Sequence, residues 1–298
     1  MVVVCLIWGS TWLAIKSGME TVPPFLAAGL RFLIATLILR LIMLIRRERI
    51  PLEPDFWLLV AEMGLLTYTL PFACIYWGQK QIATGLSSIL FATFPFWVAI
   101  CSHVRLETEK MNLPRFLGVL IGFAGVTLIF SRQLLHGVGH SFLGMAAIVV
   151  GALSQAFALV SVKRFGAKYS SISINFAGMV IGAIILLTAS LAVEDFTDLE
   201  FDSKALIPLL YLSTIGTVFT YVLYFWLAKQ VNAVLLSFTA FVTPIIAVGL
   251  GAIVLDERLG RFTLWGSALV LGGILVGNVP GLWRYIQEHR AATGIETP

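Results

Sequence analysis

The sequence predicts an all-α polytopic membrane protein with ten transmembrane helices in two inverted five-helix repeats. Three observations carry this expectation. Of 298 residues, 59% are hydrophobic and only 12% charged, with a mean hydropathy of +0.94, more apolar surface than a water-soluble core of this length uses. The apolar residues fall into ten runs, at 2–17, 25–45, 56–78, 84–102, 114–131, 142–162, 172–193, 205–227, 233–254 and 262–283. Most match the roughly 17–25 residues a helix needs to cross the hydrocarbon. Finally, the chain resembles itself. Tyr76, Trp77, Lys80, Gln81, Ala83 and Pro95 recur about 149 positions later as Phe225, Trp226, Lys229, Gln230, Asn232 and Pro244, and with one residue of slip Glu109, Lys110, Gly118 and Gly125 recur as Glu257, Arg258, Gly266 and Gly273. The expected units are 1–135 and 136–298, and repeats of this kind point to a transporter whose substrate sits where the halves meet.

Along the chain, the first span carries Trp8 and Trp12 at i and i+4, with Ser10 and Thr11 between them. It lacks the basic leader and small-residue cleavage site of a signal peptide, and so reads as a retained helix. Trp8 lies too deep for a headgroup belt and is a candidate cavity residue. In the second span Arg31 lies about two turns from one end; it serves a substrate carboxylate, or else it snorkels or forms a local ion pair, the reading favoured here. Glu62, near the start of the third span, poses the same choice. Further on, Tyr68, Phe72 and Tyr76 recur at i, i+4 and i+8 on one helical face. Their repeat partners in the eighth span are Thr217, Tyr221 and Phe225, with Tyr224 beside them. Such paired faces suit a cavity at the repeat interface, because phenol rings cover apolar substrate surface while offering a hydrogen bond; ordinary helix packing is the alternative for each residue.

Pro95 and Pro244 sit mid-span in the fourth and ninth spans, where each removes a backbone donor and kinks its helix. They are the expected hinges, and Phe94, Trp97, Ser88, Ser237 and Thr243 lie within two turns of them. In the sixth span, Gln155 beside Ser154 needs either an interhelical partner or a substrate. Gly118 with Gly122, Gly178 with Gly182 and Gly273 with Gly277 repeat a spacing that lets helices approach closely, within the chain or in a homodimer.

Charge sets the expected orientation. With the N-terminus inside, 13 Lys and Arg residues fall on the cytoplasmic side and 7 outside, so both termini are expected to be cytoplasmic. Because each half holds an odd number of spans, the second enters in the opposite sense. The loop after the second span carries Arg46, Arg47 and Arg49, whereas its counterpart carries Glu194, Asp195, Asp198, Glu200 and Asp202.

Several functions are poorly supported. The net charge of +4 resides in short loops and implies no nucleic acid partner. Cys5, Cys74 and Cys101 lie in apolar runs and read as packing residues, with no metal or cofactor site expected. No Walker-type loop, His-Glu-x-x-His helix or Gly-x-Ser-x-Gly elbow occurs, which leaves ATP-driven transport and metal-dependent hydrolysis without support.

Trp8-Gly9-Ser10-Thr11-Trp12, Ala14-Ile15-Lys16, Arg31-Phe32, Pro95, Pro244, Asp256-Glu257-Arg258-Leu259 and the last-span glycines together resemble the ten-span EamA-type branch of the drug/metabolite transporter superfamily over nearly the whole chain. Leu106-Glu107-Thr108-Glu109-Lys110 departs from the usual pattern closing the fourth span. The resemblance implies a multi-pass exporter of small metabolites, commonly amino acids, in the bacterial plasma membrane, working by alternating access; the rings suggest the aromatic amino acid exporter-like branch. It implies a small-molecule substrate and the lipid bilayer as partners, and no enzymatic activity. The expected substrate contacts are Trp8, Trp12, Tyr68, Tyr76, Phe94, Trp97, Tyr221, Tyr224 and Ser237. The alternative is a membrane-embedded enzyme acting on lipid or isoprenoid substrates.

Overall fold

The computed structural model describes residues 1–106, 111–136, 139–166, 168–221, 223–224, 227 and 239–293, with backbone alone for 132–136 and 280–293. Among them ten helical elements follow one another: α1 (Val2–Gly18), α2 (Pro24–Ile45), α3 (Pro54–Gln81), α4 (Thr84–Arg105), α5 (Leu113–His136), α6 (His140–Phe165), α7 (Ser171–Val193), α8 (Ser203–Phe219), α9 (Thr239–Val254) and α10 (Arg261–Thr293). Seven are long and apolar enough to cross a membrane; α1, α8 and α9 are shorter apolar helices. No strand occurs among the described residues, and helices that pair most of their backbone donors and acceptors internally are the arrangement hydrocarbon demands. Large apolar side chains such as Leu37, Leu41, Leu58, Ile184 and Leu191 face outward, as lipid-facing positions do.

The helix ends follow from local chemistry. Proline opens α2 and α3, where its missing N–H costs nothing. Ser170 Oγ and Asp202 Oδ1 accept from Ile172 N and Ala205 N at the starts of α7 and α8. Two further caps come from other helices. Glu194, just past α7, accepts from Phe25 N and Leu26 N of α2 at 2.7 and 3.0 Å, and Glu257, just past α9, accepts from Thr84 N and Gly85 N of α4 at 2.7 and 3.2 Å. A carboxylate at a helix N-terminus meets both orphan N–H groups and the positive end of the dipole. Across the molecule Glu48, just past α2, accepts from Ser173 Oγ in the first turn of α7 at 2.8 Å.

Three helices are irregular inside. α3 and α8 each contain one stretch of wide turns, Gly64–Thr69 and Thr214–Phe219. Threonine hydroxyls reach back five residues there, Thr69 to Gly64 O, Thr217 to Leu212 O and Thr220 to Ile215 O, at 2.6–2.8 Å. Ser154 of α6 adds a bond to Leu66 O at 3.0 Å. Such bulges insert a residue and re-aim the side chains around it. α4 is interrupted: it runs Thr84–Phe91 and restarts at Phe94–Arg105, with Pro95 in the first turn of the second piece. The missing proline N–H thus falls at a helix start rather than in a continuous helix. Pro244 lies inside α9.

The helices pack in a pattern that survives exchange of the chain's halves. α3 lies on α6 as α8 lies on α1, α4 on α6 as α9 on α1, and α3 on α7 as α8 on α2; α2·α7, α4·α9 and α5·α10 pair with their own counterparts. In the α5·α10 pair a Cβ on Gly118 would come within 2.5 Å of Gly273 O, and one on Gly125 within 2.5 Å of Gly266 O. Backbone meets backbone there, which only glycine permits. Gly122 packs on the Phe96 ring, and Gly178 and Gly182 on Tyr68, so these spaced glycines serve contacts within the chain.

Candidate functional site

Arg31 sits where α2, α3 and α8 meet. It is only 4% exposed, and Pro24 opens its helix seven residues earlier, so its Cα lies roughly 10 Å in from that end at 1.5 Å per residue. Its Nε donates to Thr217 Oγ1 at 2.9 Å, and that hydroxyl donates in turn to Leu212 O. The guanidinium carbon lies 5.0 Å from the Phe72 ring centre and 6.0 Å from that of Phe32, geometry that lets ring faces offset part of a cation's lost hydration. Among the described residues no carboxylate reaches Arg31 within ion-pair distance, and Nε is its only hydrogen-bonding nitrogen. The sequence expectation of snorkelling or a local ion pair therefore fails for Arg31: the side chain is turned into the bundle rather than toward the membrane surface. A buried ion without a counterion costs several kcal/mol.

Rings of α2 and α3 lie against this cation. Phe32 packs edge-on against Phe72 at 4.6 Å and Tyr68 at 5.3 Å, and Phe72 lies 6.4 Å from Tyr76. Tyr76 is 1% exposed, and its hydroxyl faces Arg31 without reaching hydrogen-bond geometry, leaving a buried donor with no partner. Tyr68 is held differently, donating to Asn175 Oδ1 of α7 with its ring on the glycines of that helix. On the α1 side, Trp8 meets Tyr221 at 6.0 Å and Tyr224 at 5.0 Å between ring centres, while Tyr221 lies within electrostatic reach of Arg31 and Tyr68. Ser10 and Tyr211 share a hydrogen bond of 2.6 Å across the same α1·α8 seam.

The remaining candidates lie elsewhere. Trp12 packs on Phe91 at 5.6 Å, Phe91 stacks on Phe94 at 6.1 Å, and Gln79 Nε2 donates to Trp12 O. Trp97 lies edge-on to Phe123 of α5 at 4.8 Å. Ser237 lies outside the described residues, as do Phe225, Trp226, Lys229, Gln230, Asn232, Glu109 and Lys110. Gln155 makes no hydrogen bond among the described residues; the interhelical bond of that turn belongs to Ser154.

Toward the end of the bundle where α2 and α8 begin, a void of about 10 Å³ is bordered by Ala27, Tyr76, Ala205, Leu209 and Leu212, room for at most one water. On that face Lys16 Nζ donates to Gln79 O and Ile82 O at 2.7 and 3.2 Å, tying α1 to the end of α3 close to the cap that Glu257 forms on α4. Toward the opposite face, Arg105 of α4 lies 3.7 Å from Glu62 of α3 and donates to Ser161 Oγ of α6 at 2.7 Å, with Phe157 under its guanidinium at 4.0 Å. Ser161 also donates to Glu62. For Glu62, then, the expected ion pair is present.

A family model described as the EamA-like transporter family matches residues 1–131 and again 142–279. The chain belongs to the EamA-like transporter family. Among its relatives, the uncharacterized transporter YoaV of Bacillus subtilis is 30% identical over 92% of this chain and 94% of its own length. The uncharacterized inner membrane transporter YedA of Escherichia coli is 28% identical over 92% and 86%, and protein PagO of Salmonella typhimurium is 28% identical over 83% and 81%. A solved crystal structure shares the fold with a TM-score of 0.66 at 19% identity, over 93% of this chain and 95% of its own. This EamA-like chain is therefore a multi-pass membrane protein of a transporter family, which favours transport over the enzyme alternative.

Sequence reasoning singled out Trp8, Tyr76, Tyr221 and Tyr224 but set Arg31 aside. It left Phe32 and Thr217 outside the list of substrate contacts. The signal available was adjacency: Arg31-Phe32 faces the Phe72 and Thr217 positions of the two matched helical faces.

Proposed function

We propose that this chain exports amino acids, aromatic ones among them, or related small metabolites from the bacterial cytoplasm by alternating access through a central cavity in the inner membrane. The observation that carries this reading is the convergence of rings from both halves, where Trp8 of α1 meets Tyr221 and Tyr224, just past α8, beside the Tyr76, Phe72 and Arg31 group. Rings of this kind cover an apolar side chain, and the polar groups at one end orient the rest of the solute.

The halves, 1–135 and 136–298, act in this reading as inverted repeats with both termini cytoplasmic. Support comes from the packing pairs that survive exchange, from matched wide turns in α3 and α8, and from the reciprocal contacts Gly118·Gly273 and Gly125·Gly266. The residues that repeat, Gly118 with Gly266 and Gly125 with Gly273, exchange partners as a two-fold relation requires. The break in α4 before Pro95 and the proline inside α9 are then the bending points, and the Lys16 and Glu62–Arg105 contacts are the clamps that open in alternation. α3 carries a partner in both clamps, Gln79 and Glu62, and α4, which carries Arg105, is the element whose two pieces can move separately.

The test is counterflow in liposomes holding the purified chain, with a panel of labelled amino acids. Saturable exchange of at least one is expected, and Tyr221→Ala should lower it about 10-fold, equivalent to roughly 1.4 kcal/mol of ring contact, without loss of folded protein. No saturable flux across the panel would sink the amino acid reading.

A further inference from the structure

Arg31 and Tyr76 leave hydrogen-bonding capacity unused at one place. Thr217 occupies only the Nε edge of the guanidinium, so the outer edge, formed by the two terminal nitrogens, has no acceptor among the described residues. The Tyr76 hydroxyl, buried and without a partner, faces the same group. Buried polar groups are nearly always satisfied, and here a cation and a hydroxyl from different helices are left short together.

The missing partner has a definite chemistry. It must accept several hydrogen bonds, carry negative charge and be small. A planar carboxylate fits, since it takes two parallel N–H bonds from a guanidinium fork and a third from a phenol. A dianionic phosphate fits poorly, because it carries a second charge that Arg31 alone does not meet, and Lys16 is already engaged by Gln79 O and Ile82 O. The rings of Phe72 and Phe32, and those of Trp8, Tyr221 and Tyr224, offer apolar faces to the rest of an amphipathic molecule.

We propose that Arg31 and Tyr76 form the subsite for the substrate's carboxylate, and that the protein selects monocarboxylates over their uncharged analogues. This rests on the export reading and deepens it. Nε stays on Thr217, the terminal nitrogens take the two carboxylate oxygens, and the Tyr76 hydroxyl donates to one of them. Beyond Tyr76 and Leu212 the path narrows to the void of about 10 Å³, so in this conformation the subsite is closed toward that face. A bound carboxylate neutralises the buried cation, which couples occupancy to the stability of the closed centre.

The experiment measures flux of paired probes, L-phenylalanine against L-phenylalaninamide and L-leucine against L-leucinamide, in proteoliposomes of the full chain. For the unaltered protein the acid should move at least ~10-fold faster than the amide, the scale of a charge-assisted hydrogen bond. Arg31→Gln should bring that ratio close to unity, Arg31→Lys should keep part of it, and Tyr76→Phe should lower it about threefold. If Arg31→Gln is not recovered as folded protein, the Lys and Phe variants carry the test. Equal rates for acid and amide in the unaltered protein overturn the subsite and leave the carrier standing, as does an unchanged ratio in all three variants. Absence of flux with either probe removes both.

Discussion

Two arginines sit among apolar helices, and their surroundings differ in one respect. Arg105 has a carboxylate: Glu62 at 3.7 Å, with Ser161 bonding to both and Phe157 beneath. Arg31 has one hydroxyl and rings. Arg105 also retains 25% of its side-chain exposure, whereas Arg31 is 4% exposed. Among the described residues the better-shielded cation is thus the one without a counterion, the reverse of what stability alone would select, because desolvation grows with burial. A contact closed within the protein acts as a clamp. One left open deep in the bundle has a reason to exist only if something else closes it in turn.

The strongest way to break this difference is to give Arg31 what Arg105 has. Thr217→Asp places a carboxylate where the Nε acceptor now lies 2.9 Å away. A tethered anion competes with a free one at an effective concentration of millimolar or above. Flux of carboxylated probes should then fall on the order of 100-fold, while the melting temperature in detergent stays level or rises. A variant that keeps normal flux shows that the guanidinium does not meet substrate.

The converse variants remove the partner from Arg105. Glu62→Gln or Arg105→Met leaves one charge short of its counterion at sites 23% and 25% exposed, which places the loss between that of surface and buried pairs, about 1–2 kcal/mol. Melting temperatures of the two single variants and the double variant form a cycle whose coupling energy should exceed ~0.5 kcal/mol. The acid-to-amide ratio should not change. A shift in that ratio, with no coupling in the cycle, would reverse the roles assigned to the two arginines.

Much of the fold was legible because lipid leaves so few options. A run such as 25–45 has to be a helix, and it is one, Pro24–Ile45. The wide turns in α3 and α8 were not legible, since an inserted residue stabilised by Thr69, Thr217 and Thr220 leaves the apolar pattern nearly unchanged. Pro95 was visible, but whether a proline bends a helix or starts a new one depends on the turn before it, here Ala92 and Thr93. In the candidate site, the likeness between halves brought out Tyr76 and Tyr221. The contact of Trp97 with Phe123 was not legible, because a helical face can be read from spacing but its neighbour cannot. Arg31 was undervalued for a related reason: distance from a helix end says how deep a residue lies, not whether it turns inward.

A third cation marks the weak end of the comparison. Lys168, in the segment before α7, meets Glu53 at 3.2 Å and Asp55 at 3.5 Å, all three more than half exposed, and Tyr169 donates to Glu53 at 2.9 Å. The Tyr169 hydroxyl, and then Lys168, hold the Glu53 carboxyl below its ordinary value of 4.5. The folded state therefore binds that proton less readily than the unfolded chain, so whatever the contact contributes is present above pH 4.5 and fades as pH falls through the lowered value. Hydrogen bonds to Tyr169 and then to Glu53 raise Lys168, and its share persists until alkaline pH. Solvent screens a group this exposed, so the effect should be the smallest of the series. Glu53→Gln should flatten the acid side of the melting-temperature profile below pH 4.5 by a degree or so and leave neutral pH unaffected. If the profile instead falls at neutral pH as well, Glu53 holds the start of α3 through contacts other than its charge.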